Sequence, residues 1–136
     1  MEALVQYLDG VRFEAAASGH VVISDQPTSN GGTNTGMSPP EFLLISLGTC
    51  AGYYAAEYLK TRSLSPNGLR VHVSAEKASG PARLASFRIT VEVPNIEERH
   101  RQGVERAVRS CLVHNTLLNT PSIETVVRNL PMHLAA

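Results

Sequence analysis

The chain has 136 residues, a length that suits one domain, here expected across 1–136. Its 12 Lys and Arg balance 12 Asp and Glu, and Trp is absent, so nothing in it suggests an electrostatic nucleic-acid or membrane partner or a base-stacking platform. Two cysteines without a Cys-x-x-Cys pair, and scattered histidines, exclude a disulfide scaffold and argue against a structural zinc site.

The N-terminus passes straight into a strand pattern with no basic and apolar leader, so a cytoplasmic protein is expected. Residues 3–8 predict a first strand, Asp9-Gly10 a hairpin turn, and residues 11–16 a second strand. In that second strand Val11 and Phe13 share one face, and Arg12 and Glu14 the other. Ser18-Gly19 turns again, and residues 20–24 predict a third strand of an antiparallel meander. Residues 25–37 are Gly, Asn, Thr, Ser and Pro with little else, which predicts a mobile loop.

The stretch 38–60 organises the chain. Ser38 is placed to cap a helix, Pro39 suits its first position, and Glu41 stands at capping-box spacing. From Phe42 to Ala56 only Ser46 and Thr49 interrupt the apolar run, which is shorter than the roughly 20 residues a bilayer span needs. A helix apolar on every face predicts a fully buried core element. Gly48 and Gly52 lie on one side of it, and the expected return is close approach of another backbone, such as a second copy of the same helix.

Beyond Ser65-Pro-Asn-Gly68, residues 69–76 alternate strictly, with Leu69, Val71, Val73 and Ala75 inward. Residues 84–93 alternate again, with Phe87, Ile89, Val91 and Val93 on one face. Asn95 and Glu98 predict a capped second helix whose apolar stripe is Val104, Ala107, Val108 and Cys111. Residues 112–118 predict a short third helix, and Ile123 to Leu130 a last strand. The class is α+β, with antiparallel sheet wrapped on a buried helix. One small sheet does not cover such a helix, so a homodimer that buries two of them is expected.

Cys50 and Cys111 both face the interior in this pattern, 61 positions apart. Two readings stay open: buried small hydrophobes, or a thiol pair that meets in space. His114, three residues after Cys111, either tunes that thiol or is a polar residue at a helix end.

The segment Ser-Pro-Pro-Glu-Phe-Leu-Leu-Ile-Ser-Leu-Gly-Thr-Cys (38–50) resembles the signature helix of the OsmC/Ohr family. Residues 10–20, 82–91 and 111–117 extend the resemblance in family order across about 4–130. The pairing of Ser-Pro-x-Glu with Leu-Gly-x-Cys is closer to its OsmC-like subgroup. The resemblance implies an OsmC-like fold, with antiparallel sheets wrapped around long central helices in an intertwined homodimer. It also implies a cofactor-free thiol peroxidase acting on organic hydroperoxides in the oxidative-stress response. Cys50 matches the attacking position and Cys111 the resolving one, with an external dithiol as reductant. An apolar pocket raises a thiol's pKa unless a cation is near, so an arginine is required: Arg12 first, Arg83 second. The better-known peroxidase branch carries Glu ten residues before the attacking cysteine. Here Pro40 holds that offset, and Glu41 is either catalytic or a helix cap. Two other readings remain: a non-enzymatic dimeric module that binds an apolar ligand, and a different thiol chemistry at Cys50.

Overall fold

The computed structural model of the chain describes residues 1–131. Residues 132–136 of the single domain expected over 1–136 lie outside the described residues. Three strands open the chain: β1 (Leu4–Asp9), β2 (Arg12–Ala17) and β3 (His20–Ser24). They form an antiparallel sheet in the order β1-β2-β3. The β2–β3 turn places Ser18 and Gly19 both at positive φ, the backbone a tight two-residue hairpin demands. This sheet makes at most glancing contact with the helices of its own chain. Leu4, Val5, Tyr7, Phe13, Val21 and Val22 are all exposed on it.

The loop that follows is built rather than loose, contrary to its composition. Asp25 is fully buried, and its carboxylate accepts from five donors. They are the Gln26 N–H (2.7 Å), the Thr33 N–H and hydroxyl (3.2 and 2.7 Å), and the Thr35 N–H and hydroxyl (both 2.9 Å). The Asp25 N–H in turn donates to the Met37 carbonyl at 3.2 Å, which closes the loop onto the end of β3. The Thr35 N–H bond is the largest cause holding the Asp25 carboxyl well below its usual range. Burial opposes it, and the Thr33 hydroxyl, Gln26 N–H and Thr35 hydroxyl act in the same direction as Thr35. A carboxyl with a depressed folded pKa stabilises the fold above its unfolded pKa, about 4, and loses that contribution as pH falls toward the folded value. Asp25→Asn is therefore expected to lower the thermal midpoint by on the order of 5 °C at pH 7. The gap between variant and parent should narrow steadily from pH 4 downward in thermal melts followed by circular dichroism.

Helix α1 (Pro39–Lys60) starts where its sequence places it. Ser38 is the N-cap, Pro39 takes the first position, and the Glu41 carboxylate accepts from the Ser38 N–H at 2.7 Å and its hydroxyl at 2.8 Å. The helix is not buried all round within one chain. Leu47, Ala51, Ala55 and Leu59 form one buried stripe at i, i+4 spacing, while Ile45 and Tyr53 are exposed. Gly48 and Gly52 admit strand side chains rather than a second helix within the chain. A Cβ on Gly48 would stand 3.0 Å from Val73 Cγ2, and one on Gly52 3.5 Å from Val71 Cγ2.

The second sheet pairs β4 (Arg70–Ala78) with β5 (Arg83–Glu92) in antiparallel register, Val71 opposite Val91 and Val73 opposite Ile89. Its inward residues are those the alternation selects, because a half-buried strand presents one face to the core. Helix α2 (Glu98–Arg109) closes the other side with Val104 and Val108. Gly103 lets it approach α1, since a Cβ there would overlap the Tyr58 ring. The core is thus Ala51, Ala55, Leu59, Val104 and Val108 against Val71, Ile89 and Val91.

Three further expectations change. Asn95 does not cap α2: it adopts φ of 53° in a turn, and Glu97 is the N-cap. Cys111 does not end the α2 stripe but opens α3 (Leu112–Leu118) as its N-cap. Residues 119–131 form no strand and are exposed throughout, Ile123 and Val127 included, and they pair with neither sheet of the chain.

Candidate functional site

The break between α2 and α3 turns Cys111 inward, against the middle of α1. Cys50 and Cys111 form a disulfide with Cα atoms 5.9 Å apart, inside the range such a bond requires. Cys111 is fully buried and Cys50 half-buried. The Cys111 sulfur also accepts from the His114 N–H at 3.5 Å, so one atom links α1 and caps α3. A cavity of 460 Å³ lies between α1, β5 and α3, and neither cysteine is among its lining residues. Leu43 and Leu47 line it from α1, Leu84, Phe87 and Ile89 from β5, and His114, Leu117 and Leu118 from α3. Leu47 precedes Cys50 by three residues and His114 follows Cys111 by three, so the cavity takes wall residues within about one helical turn of each sulfur.

The other candidate residues stand apart from the sulfurs within one chain. Glu41 lies nine residues before Cys50, about 13 Å along the helix axis, and its carboxyl is held below the usual range by the Ser38 N–H and then the Ser38 hydroxyl. Arg83 spends its guanidinium on the β4–β5 turn, donating to the Ser79 and Pro81 carbonyls at 3.3 and 3.0 Å. Arg12 sits on β2 in the first sheet, 3.8 Å from Asp9. Its Nε is buried and has no hydrogen-bond partner among the described residues, an unusual state for a donor of this kind. Residue-by-residue reading missed Asp25, whose signal is the run of Thr and Gly that follows it. It left His114 undecided.

Fold and site together define an α+β protein whose central helix carries one half of a cysteine pair closed as a disulfide, with an apolar cavity bounded by the same helix. The chain belongs to the OsmC family: the family model described as OsmC-like protein matches residues 32–126. Solved structures share the fold. An OsmC-like protein of Mycoplasma pneumoniae superposes with a TM-score of 0.75 at 20% identity, covering 88% of this chain and 87% of that one. A candidate osmotic stress-induced and detoxification response protein of Psychrobacter arcticus reaches a TM-score of 0.77 at 20% identity, covering 84% and 85%. An organic hydroperoxide resistance protein OsmC of Legionella pneumophila gives 0.62 at 11% identity, covering 85% and 87%. No curated protein sequence matches at a significant level. Among the described residues no helix is long and apolar enough to cross a membrane.

Proposed function

We propose that this chain is a cofactor-free thiol peroxidase that reduces organic hydroperoxides. The observation that carries the reading is the Cys50–Cys111 bond, with a 460 Å³ apolar cavity whose wall includes Leu47 and His114, each three residues from one of the cysteines. The Cys50 thiolate attacks the outer oxygen of the hydroperoxide and becomes a sulfenic acid as the alcohol leaves. Cys111 displaces water from that sulfenic acid, and an external dithiol reduces the resulting disulfide. A cycle of this kind needs a reducing compartment, which fits a cytoplasmic protein. The hydroperoxide resistance protein from Legionella pneumophila, alike in fold, is consistent with this chemistry. A binding module without chemistry would use the same cavity but would leave the juxtaposed sulfurs without a role.

Reduced protein treated with one equivalent of cumene hydroperoxide should lose both thiols per chain and form the intramolecular disulfide. Hydrogen peroxide should react more slowly, since an apolar wall gains about 25 cal/mol per Å² of hydrocarbon buried. An ordinary Cys50 alkylation profile, centred near ~8.5, with no peroxide-driven disulfide would favour the binding module instead.

The same proposal includes a homodimer in a single domain. The β1–β3 sheet leaves its apolar side chains exposed and scarcely meets its own helices, while α1 exposes Ile45 and Tyr53. A second copy that lays its sheet over this helix covers both surfaces at once. In this dimer the first sheet also carries the Arg12 side chain, one-third exposed beside Asp9, toward the other chain's Cys50. Sedimentation should show a dimer at micromolar concentration, with more than ~2,000 Å² buried as in obligate interfaces. A folded monomer at that concentration would contradict it.

A further inference from the structure

Among the residues lining the cavity between α1, β5 and α3, only one side chain ionises, His114. We propose that His114 is the proton donor to the alkoxide that leaves when Cys50 breaks the O–O bond. This assignment rests on the peroxidase reading above.

Three observations support it. His114 sits three residues after Cys111, its backbone N–H donates to the Cys111 sulfur at 3.5 Å, and the residue lines the cavity from α3, so it stands within one turn of the resolving sulfur. The remaining wall is aliphatic or aromatic except for Ser86. The Ser86 hydroxyl proton is already committed, donated to Glu76 Oε2 on β4 at 3.3 Å. No charged side chain of α1 or β5 lines the cavity. Among the residues of that wall, His114 is the one whose side chain can carry and release a proton to an alkoxide formed there.

The step balances. The Cys50 thiolate takes the terminal OH of the hydroperoxide, the O–O bond breaks, and sulfur is oxidised by two electrons to the sulfenic acid. The RO⁻ fragment accepts the His114 proton and departs as the alcohol. Cys111 then attacks the sulfenic sulfur, the S–S bond forms and water leaves. His114 regains its proton from solvent.

The test compares His114→Gln with the parent on two oxidants, cumene hydroperoxide and perbenzoic acid. The peracid releases a carboxylate, which leaves without a proton. The expected result is a loss of about 10²-fold on cumene hydroperoxide, the usual contribution of general acid catalysis, with less than about threefold on perbenzoic acid. The pH profile of the parent on cumene hydroperoxide should be bell-shaped, rising with thiol ionisation and falling as histidine loses its proton. The variant should keep only the rising limb. Because the peracid reaction itself reports an intact fold and thiol pair, misfolding is separated from the loss of an acid. Equal losses on both oxidants, or none on either, would overturn the assignment. A parent inert to both oxidants would remove the peroxidase reading, and the proton-donor role with it.

Discussion

Cys50→Ser is expected to reduce turnover of cumene hydroperoxide to the uncatalysed background, because serine at this position offers no thiolate to attack the O–O bond. The residue stands mid-helix in α1, so the change removes one sulfur and leaves the buried Leu47, Ala51 and Ala55 stripe in place. Cys111→Ser should behave differently. Cys50 would still react once, but the fully buried partner sulfur, the one within bonding reach in the parent, would be gone. A single-turnover experiment should therefore trap one sulfenic acid per chain, detectable with dimedone by mass spectrometry, and steady-state turnover with a dithiol should fall sharply. Turnover at parental rates in Cys50→Ser would refute the assignment of the attacking sulfur. Rapid recycling in Cys111→Ser would refute that of the resolving one.

Arg12→Ala should produce the second largest effect, a slowing of about 10- to 100-fold near pH 7. An opposite charge within a few ångströms lowers an acid's pKa by about 1–3 units, and the rate follows the thiolate fraction. Removing the cation leaves the reduced Cys50 thiol protonated to higher pH, so the deficit should shrink as pH rises and both proteins become fully ionised. The expectation draws on the buried, unpartnered Arg12 Nε and on a first sheet that stands clear of its own helices. Arg83→Ala is the matched control, since that guanidinium closes the β4–β5 turn through the Ser79 and Pro81 carbonyls. Alkylation of Cys50 across pH would measure both. A larger change in Arg83→Ala than in Arg12→Ala would reverse the roles.

Much of this architecture can be read from local patterns. Ser38, Pro39 and Glu41 specify the start of α1 because capping is settled by residues within one turn. The alternation of Val71, Val73, Phe87, Ile89 and Val91 specifies the core face of β4 and β5 because side chains on a strand alternate sides. Family membership also follows from one stretch, 38–50, which with 82–91 and 111–117 lies within the matched residues 32–126, whereas 10–20 lies before them.

Other features depend on which groups meet in space. Asp25 reads as one polar residue among many, and its burial arises only when the loop folds back to bring Thr33 and Thr35 onto it. Asn95 has a cap's chemistry, but the chain enters α2 two residues later, where the path from β5 directs it. Residues 123–130 have a strand's composition without a strand's partner, and pairing is a property of two segments rather than one. The sulfur pair belongs to this second group. Sequence placed Cys50 on a central helix and Cys111 near the end of another, 61 positions away. The kink between α2 and α3 is what turns Cys111 to within 5.9 Å of Cys50, Cα to Cα, and sets His114 in the wall beside them. Helical periodicity carries no information about that turn, because it is decided where α3 packs on α1 and not by either helix alone.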